Sequence, residues 1–173
     1  MLAPDSHAAE FVLAGAILLG RIGDIASTWL VTPTLRLEAN PLARRLRWPF
    51  AWLTLLACLI PFWSLPLGLV AAVVFFLVTA HNLSHAWLAR ALGEDRVREL
   101  QLEAARRSGL RAALALTWLA SVPLFACAVL VALFGGDPNR SWSFWVATGI
   151  GLYAFALGFH KSLYFVRLFR AAR

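Results

Sequence analysis

A chain of 173 residues that is 61% hydrophobic and 14% charged, with a mean hydropathy of +0.72, carries too much apolar surface for a soluble fold, in which about a quarter of residues are charged. The net charge of +7 and pI near 11.0 would point to nucleic acid in a soluble protein, but here the basic residues flank apolar runs, which excludes nucleic acid and makes the lipid bilayer the expected partner. Cys58 and Cys127 both fall inside apolar runs and form neither a disulfide framework nor a zinc-knuckle spacing.

The expected fold is all-α, a polytopic transmembrane bundle of about five spans forming one domain over 1–173. No fixed-period repeat and no Gly/Ser linker divides the chain. Residues 1–10 contain Asp5 and Glu10 but no Lys or Arg, so the first apolar run lacks the basic flank of a secretory signal and is expected to stay as a span.

A helix needs roughly 20 apolar residues to cross the hydrocarbon core. Span one is expected at 11–33, interrupted by Arg21 and Asp24. These two and Thr28 follow i, i+3, i+7 spacing and share a face, with Gly20 and Gly23 letting a neighbour approach. The stretch 48–89 has 42 residues without Asp, Glu, Lys or Arg, enough for two spans. A turn at Pro61-Phe-Trp-Ser-Leu-Pro66 divides it into a short span at 49–63 and a longer one at 66–91. The latter carries His81, Asn82, Ser84 and His85. Residues 93–107 mix acids and arginines at helical spacing and read as a solvated helical arm with i,i+4 ion pairs. The fourth span is expected at 110–134, ended by Gly135-Gly-Asp-Pro-Asn139. The fifth is expected at 142–167, with Tyr153, His160, Tyr164 and Arg167 on one face, and with Lys161 pointing elsewhere and snorkelling.

Orientation follows from the arginines. The sets 36/44/45/47, 90/96/98/106/107/111 and 167/170/173 hold thirteen basic residues on one side, and only Arg140 lies opposite. The positive-inside rule then places the N-terminus outside and the C-terminus in the cytoplasm, in a multi-pass protein of the inner (plasma) membrane. Trp48, Trp63, Trp142 and Trp145 sit near span ends as interfacial anchors.

Ionisable groups in hydrocarbon cost about 2.5–3.5 kcal/mol each on insertion scales, so each needs a partner, a cavity or a task. Asp24, His81, His85 and His160 are expected at similar depth in the cytoplasmic half of three spans, and Glu38-Ala-Asn40-Pro41 could fold back over them. Two readings stay open. Arg21 and Asp24 can form an internal ion pair and the histidines can hydrogen-bond across helices. Alternatively, His81 and His85, one turn apart, hold a divalent transition metal, zinc or iron, with Asp24 and His160 as further ligands, and Asp24, Glu38, Asn40 and Asn82 serve as acid/base and positioning groups. Position 82 is Asn, so the general-base Glu of H-E-x-x-H is absent. Haem held by His81 or His85 with His160 would be of the b type, since no C-x-x-C-H occurs.

Asp24-Ile-Ala-Ser-Thr28 followed by Glu38-Ala-Asn40-Pro41-Leu42 resembles a group of small bacterial and archaeal membrane proteins of unknown function with a D-x-x-x-T then E-x-N-P pattern. The likeness covers the first quarter of the chain and implies a membrane protein without implying an activity. The expected function is a metal-dependent membrane hydrolase acting on a lipid or membrane peptide. A small proton- or ion-coupled transporter or channel subunit and a non-catalytic accessory or assembly protein are the alternatives, with a homo-oligomer compatible with each.

Overall fold

The computed structural model describes residues 6–38, 40–135 and 141–172. The turn expected at 136–140, with Arg140, lies outside the described residues, as do Asp5, Ala39 and Arg173. Among the described residues every regular element is helical: α1 (Ser6–Val31), α2 (Pro41–Leu53), a 3₁₀ segment (Thr54–Phe62), α3 (Leu65–Leu92), α4 (Glu94–Ser108), α5 (Leu110–Phe134) and α6 (Trp142–Ala172). Four of these, α1, α3, α5 and α6, are long and apolar enough to cross a membrane.

The helices pack in the order α1, α3, α6, α5, with the 3₁₀ segment against α1 and α3. A Cβ on Gly20 would lie 3.0 Å from Phe75 Cβ and one on Gly23 only 2.9 Å from Thr79 Cγ2, so the missing side chains let α1 and α3 touch. Successive turns of α1 meet successive turns of α3, which makes the two helices parallel. Gly149 against Val73, with Lys161 in Coulombic reach of His85 about three turns further along both helices, sets α6 parallel to α3, while Gly158 against Trp118 and Gly151 against Ala128 set α5 antiparallel to α6.

Two parallel helices that follow one another need a return segment, and residues 41–62 supply it. Near the end of α1, Trp48 Nε1 donates to the Pro33 carbonyl at 3.3 Å. Near its start, the Phe62 ring stands edge-on to Phe11 with centroids 5.3 Å apart. This differs from an ordinary helix over 49–63. The helix begins at Pro41, where Asn40 caps it, kinks at Arg47 (φ 56, ψ −151) two residues before Pro49, and continues from Thr54 as 3₁₀. Pro61 has no N–H to give to an α-helical ladder. The nine 3₁₀ residues rise about 2.0 Å each instead of about 1.5 Å, which adds roughly 4–5 Å of reach to a short apolar run.

α1, α3 and α6 therefore end at one pole of the bundle, and α4 lies across it, bracketed by Gly93 (φ 79) and Gly109 (φ 76) in backbone conformations that other residues adopt only with strain. The arm has one expected i,i+4 pair, Arg107–Glu103 (2.6 Å), and an i,i+3 pair, Arg96–Glu99 (2.8 Å). Its first residue is not a solvated charge. Glu94 accepts from Thr32 Oγ1, from Thr34 Oγ1 at 2.7 Å, and from the amides of Thr34 (3.3 Å) and Arg36 (2.8 Å), which ties the loop after α1 to α4.

Partial burial alone would raise the Glu94 pKa, but the hydrogen bonds from Thr32, Thr34 and Arg36 hold it below the usual 4.5. A depressed folded-state pKa gives stabilisation that is present above 4.5 and fades as pH falls through the folded value. Glu94→Ala is expected to speed amide exchange at Thr34 and Arg36 roughly tenfold at neutral pH, since a hydrogen bond to a charged group contributes about 1.5 kcal/mol or more before solvent screening. In the native protein the same amides should lose protection below pH 4.5. Hydrogen-exchange mass spectrometry reads both effects, and unchanged exchange in the variant would contradict the tether.

Candidate functional site

Three residues of α1 at i, i+3 and i+7 face α3 and the 3₁₀ segment, as one helical stripe must. Arg21 is 8% exposed and sends Nη1 to Asp24 Oδ2 and Nη2 to Thr54 Oγ1, with its Cζ 4.8 Å above the centre of the Phe75 ring. The other carboxylate oxygen, Asp24 Oδ1, accepts from Asn82 Nδ2 at 3.0 Å and Thr28 Oγ1 at 3.4 Å. Asn82 Nδ2 is also 3.1 Å from Thr28 Oγ1. One turn away, Thr79 Oγ1 donates to the Gly20 carbonyl at 3.0 Å. The close approach at Gly20 and Gly23 is what lets these short side chains reach across.

Both oxygens of Asp24 thus have donors, drawn from α1 itself and from α3, and the nearest cation is Arg21. A carboxylate so occupied is a poor metal ligand, because a metal would have to displace the guanidinium that neutralises it. Arg21 Nε is the one nitrogen of that guanidinium without a hydrogen-bond partner among the described residues.

Glu38 and Asn40 meet each other at the start of α2. Glu38 Oε1 accepts the Asn40 amide at 2.7 Å, and Asn40 Oδ1 accepts the Leu42 amide at 3.0 Å as the cap of α2, with Pro41 in the first turn. Glu38 also lies within Coulombic reach of Arg167 on α6. The E-x-N-P motif therefore starts a helix, and D-x-x-x-T joins two.

His81 and His85, one turn apart on α3, stand edge-on with ring centroids 4.9 Å apart, His81 half-buried and His85 exposed. Lys161 lies within Coulombic reach of both. A cation beside the pair opposes binding of a second one. His160 stacks near Phe159 at 5.7 Å, and its Nδ1 is buried without a hydrogen-bond partner among the described residues. Among the described residues no three of His, Cys, Asp and Glu come together as metal ligands would. Asp24 and Asn82 are brought together and Glu38 meets the Asn40 amide, while among the described residues the histidine pair and His160 join no larger group of such ligands.

Sequence reasoning missed Thr54, whose only signal is a hydroxyl in an otherwise apolar run. It also missed the Tyr164 hydroxyl, which donates to Gln101 Oε1 and ties α6 to α4. Two cavities, of about 200 Å³ between α5 and α6 and about 240 Å³ at the α4 pole, are lined by none of the Asp24 or histidine groups. The protein matches no family model, no curated protein and no solved structure, so the geometry alone carries the functional reading.

Proposed function

We propose that the protein spans the inner (plasma) membrane five times, N-terminus outside and C-terminus in the cytoplasm, and serves as a non-catalytic accessory or assembly protein. The five-span topology is supported by the parallel packing of α1 and α3, which needs 41–62 to run the length of α1 between them, and by the arginines gathered at the α4 pole. The accessory role is carried by one observation: both Asp24 oxygens are taken up by Arg21, Thr28 and Asn82, so the most polar intramembrane site holds helices together and presents no free acid or base. A proton-handling role is the second reading, favoured by the Coulombic grouping of His81, His85 and Lys161.

Elemental analysis of the detergent-purified protein tests the first reading against a metal-dependent hydrolase. Far less than one transition metal per molecule is expected, and the same value in His85→Ala. One zinc or iron per molecule, lost in His85→Ala while the protein stays folded, would overturn the accessory reading.

A further inference from the structure

The α4 pole carries a cavity of about 240 Å³ lined by Thr34, Leu35, Arg36, Arg44, Arg47 and Arg98. Four arginines, all exposed, from the loop after α1, from α2 and from α4 line it, and no carboxylate is among its lining residues. Arg36 shares its charge with Asp95 at 2.6 Å, but among the described residues Arg44, Arg47 and Arg98 have no ion-pair partner. Arg167 of α6 adds a further positive charge within Coulombic reach of Arg44, with the Glu38 carboxylate also within reach of Arg167. Like charges so gathered repel one another and are stable together only with an anion between them or with strong solvation.

Backbone geometry sets this place apart. Among the described residues only Leu35 (φ 59) and Arg47 (φ 56) have positive φ without being glycine, and both line the cavity. Such conformations are strained and persist where the surroundings fix them, commonly at ligand sites. Glu94 does that fixing on the Thr34–Arg36 side, through its bonds to Thr34 and the Arg36 amide. The strained backbone thus lies in the wall of the cavity that the arginines line.

We propose that this cavity binds a phosphate group, carried either by an anionic lipid headgroup or by a soluble phosphate compound. Arginine forks match phosphate oxygens in paired hydrogen bonds, which a lone ammonium does not. The volume lies below the roughly 300–1,000 Å³ of clefts that enclose drug-sized ligands, so it suits a phosphate head more than a whole nucleotide. Its position, where the apolar helices α1, α3 and α6 end, is the level of lipid headgroups. The inference is independent of whether the Asp24 cluster is structural.

The test uses the full-length protein in nanodiscs. One arm compares phosphatidylcholine alone with phosphatidylcholine plus phosphatidic acid and measures by mass spectrometry the phosphatidic acid retained after detergent washing. The other titrates inorganic phosphate into phosphatidylcholine nanodiscs by calorimetry. Each basic residue near such a surface contributes a factor of about five, so Arg44→Gln/Arg98→Gln should weaken binding about 25-fold. Arg96→Gln/Arg107→Gln removes equal charge away from the cavity and should leave binding unchanged. Retention of phosphatidic acid without phosphate binding assigns the lipid source, and phosphate binding without lipid retention assigns the soluble one. If the first double variant does not fold, Arg47→Gln replaces it, with a loss of about fivefold expected. Binding of neither probe, an equal loss in both double variants, or no loss in Arg47→Gln would overturn the proposal.

Discussion

Asp24→Ala is expected to destabilise the folded protein by about 3–5 kcal/mol, because it leaves the Arg21 guanidinium buried without its counter-charge. The side chains of Arg21 and Asp24 are 10% and 14% exposed, and Thr54 and the Phe75 ring can stabilise the cation only partly. Removing both charges is a different matter. Arg21→Met/Asp24→Leu should recover most of the loss, since an apolar pair of similar volume avoids the desolvation that a buried ion pair incurs. Unfolding of the detergent-solubilised protein, followed by helical circular dichroism against increasing denaturing surfactant, gives both values. An Asp24→Ala protein within about 1 kcal/mol of the native one would show that Arg21 does not depend on Asp24.

The second large effect is expected at Gly23. Even the Cβ of Gly23→Ala would press on Thr79 at 2.9 Å, and a leucine would force α1 away from α3 along the stripe that carries Asp24 and Asn82. Overpacking costs about 1–3 kcal/mol. The lost Asp24–Asn82 hydrogen bond adds to it, and the total for Gly23→Leu should approach that of Asp24→Ala. Gly15 lies on the same helix, but a Cβ there meets nothing within 4 Å. Gly15→Leu is therefore the matched control and should fold with native stability. Equal tolerance at the two positions would mean that the glycine contact does not hold the helices together.

The all-helical, membrane-type fold was legible because apolar runs of spanning length are a one-dimensional signal, set by composition and by the breaks at Arg and Pro. The Asp24 stripe was legible for a similar reason, since i, i+3, i+7 spacing fixes a shared face before any partner is known. What that face meets was not. Whether Asn82 or its neighbours His81 and His85 reach Asp24 depends on the rotation of α3, and a rotation of about 100° per residue separates them. The same geometry puts Lys161 within Coulombic reach of the histidines and leaves His160 beside Phe159. The tie from Glu94 to Thr32, Thr34 and Arg36 joins residues roughly sixty positions apart, and charge patterning along one helix carries no trace of it. The 3₁₀ stretch answers a length mismatch that exists only once α1 and α3 are parallel.

A double-mutant cycle between Asp24→Ala and Asn82→Ala tests most directly whether the polar site is a clasp between α1 and α3. A hydrogen bond to a charged group contributes about 1.5–3 kcal/mol in water, and helices unfolded within a membrane recover part of that with other partners. The clasp predicts a coupling of about 1 kcal/mol or more between the two substitutions, measured on the same surfactant unfolding curves. Effects that add to within about 0.3–0.5 kcal/mol would contradict it, leaving Asp24 uncoupled from α3.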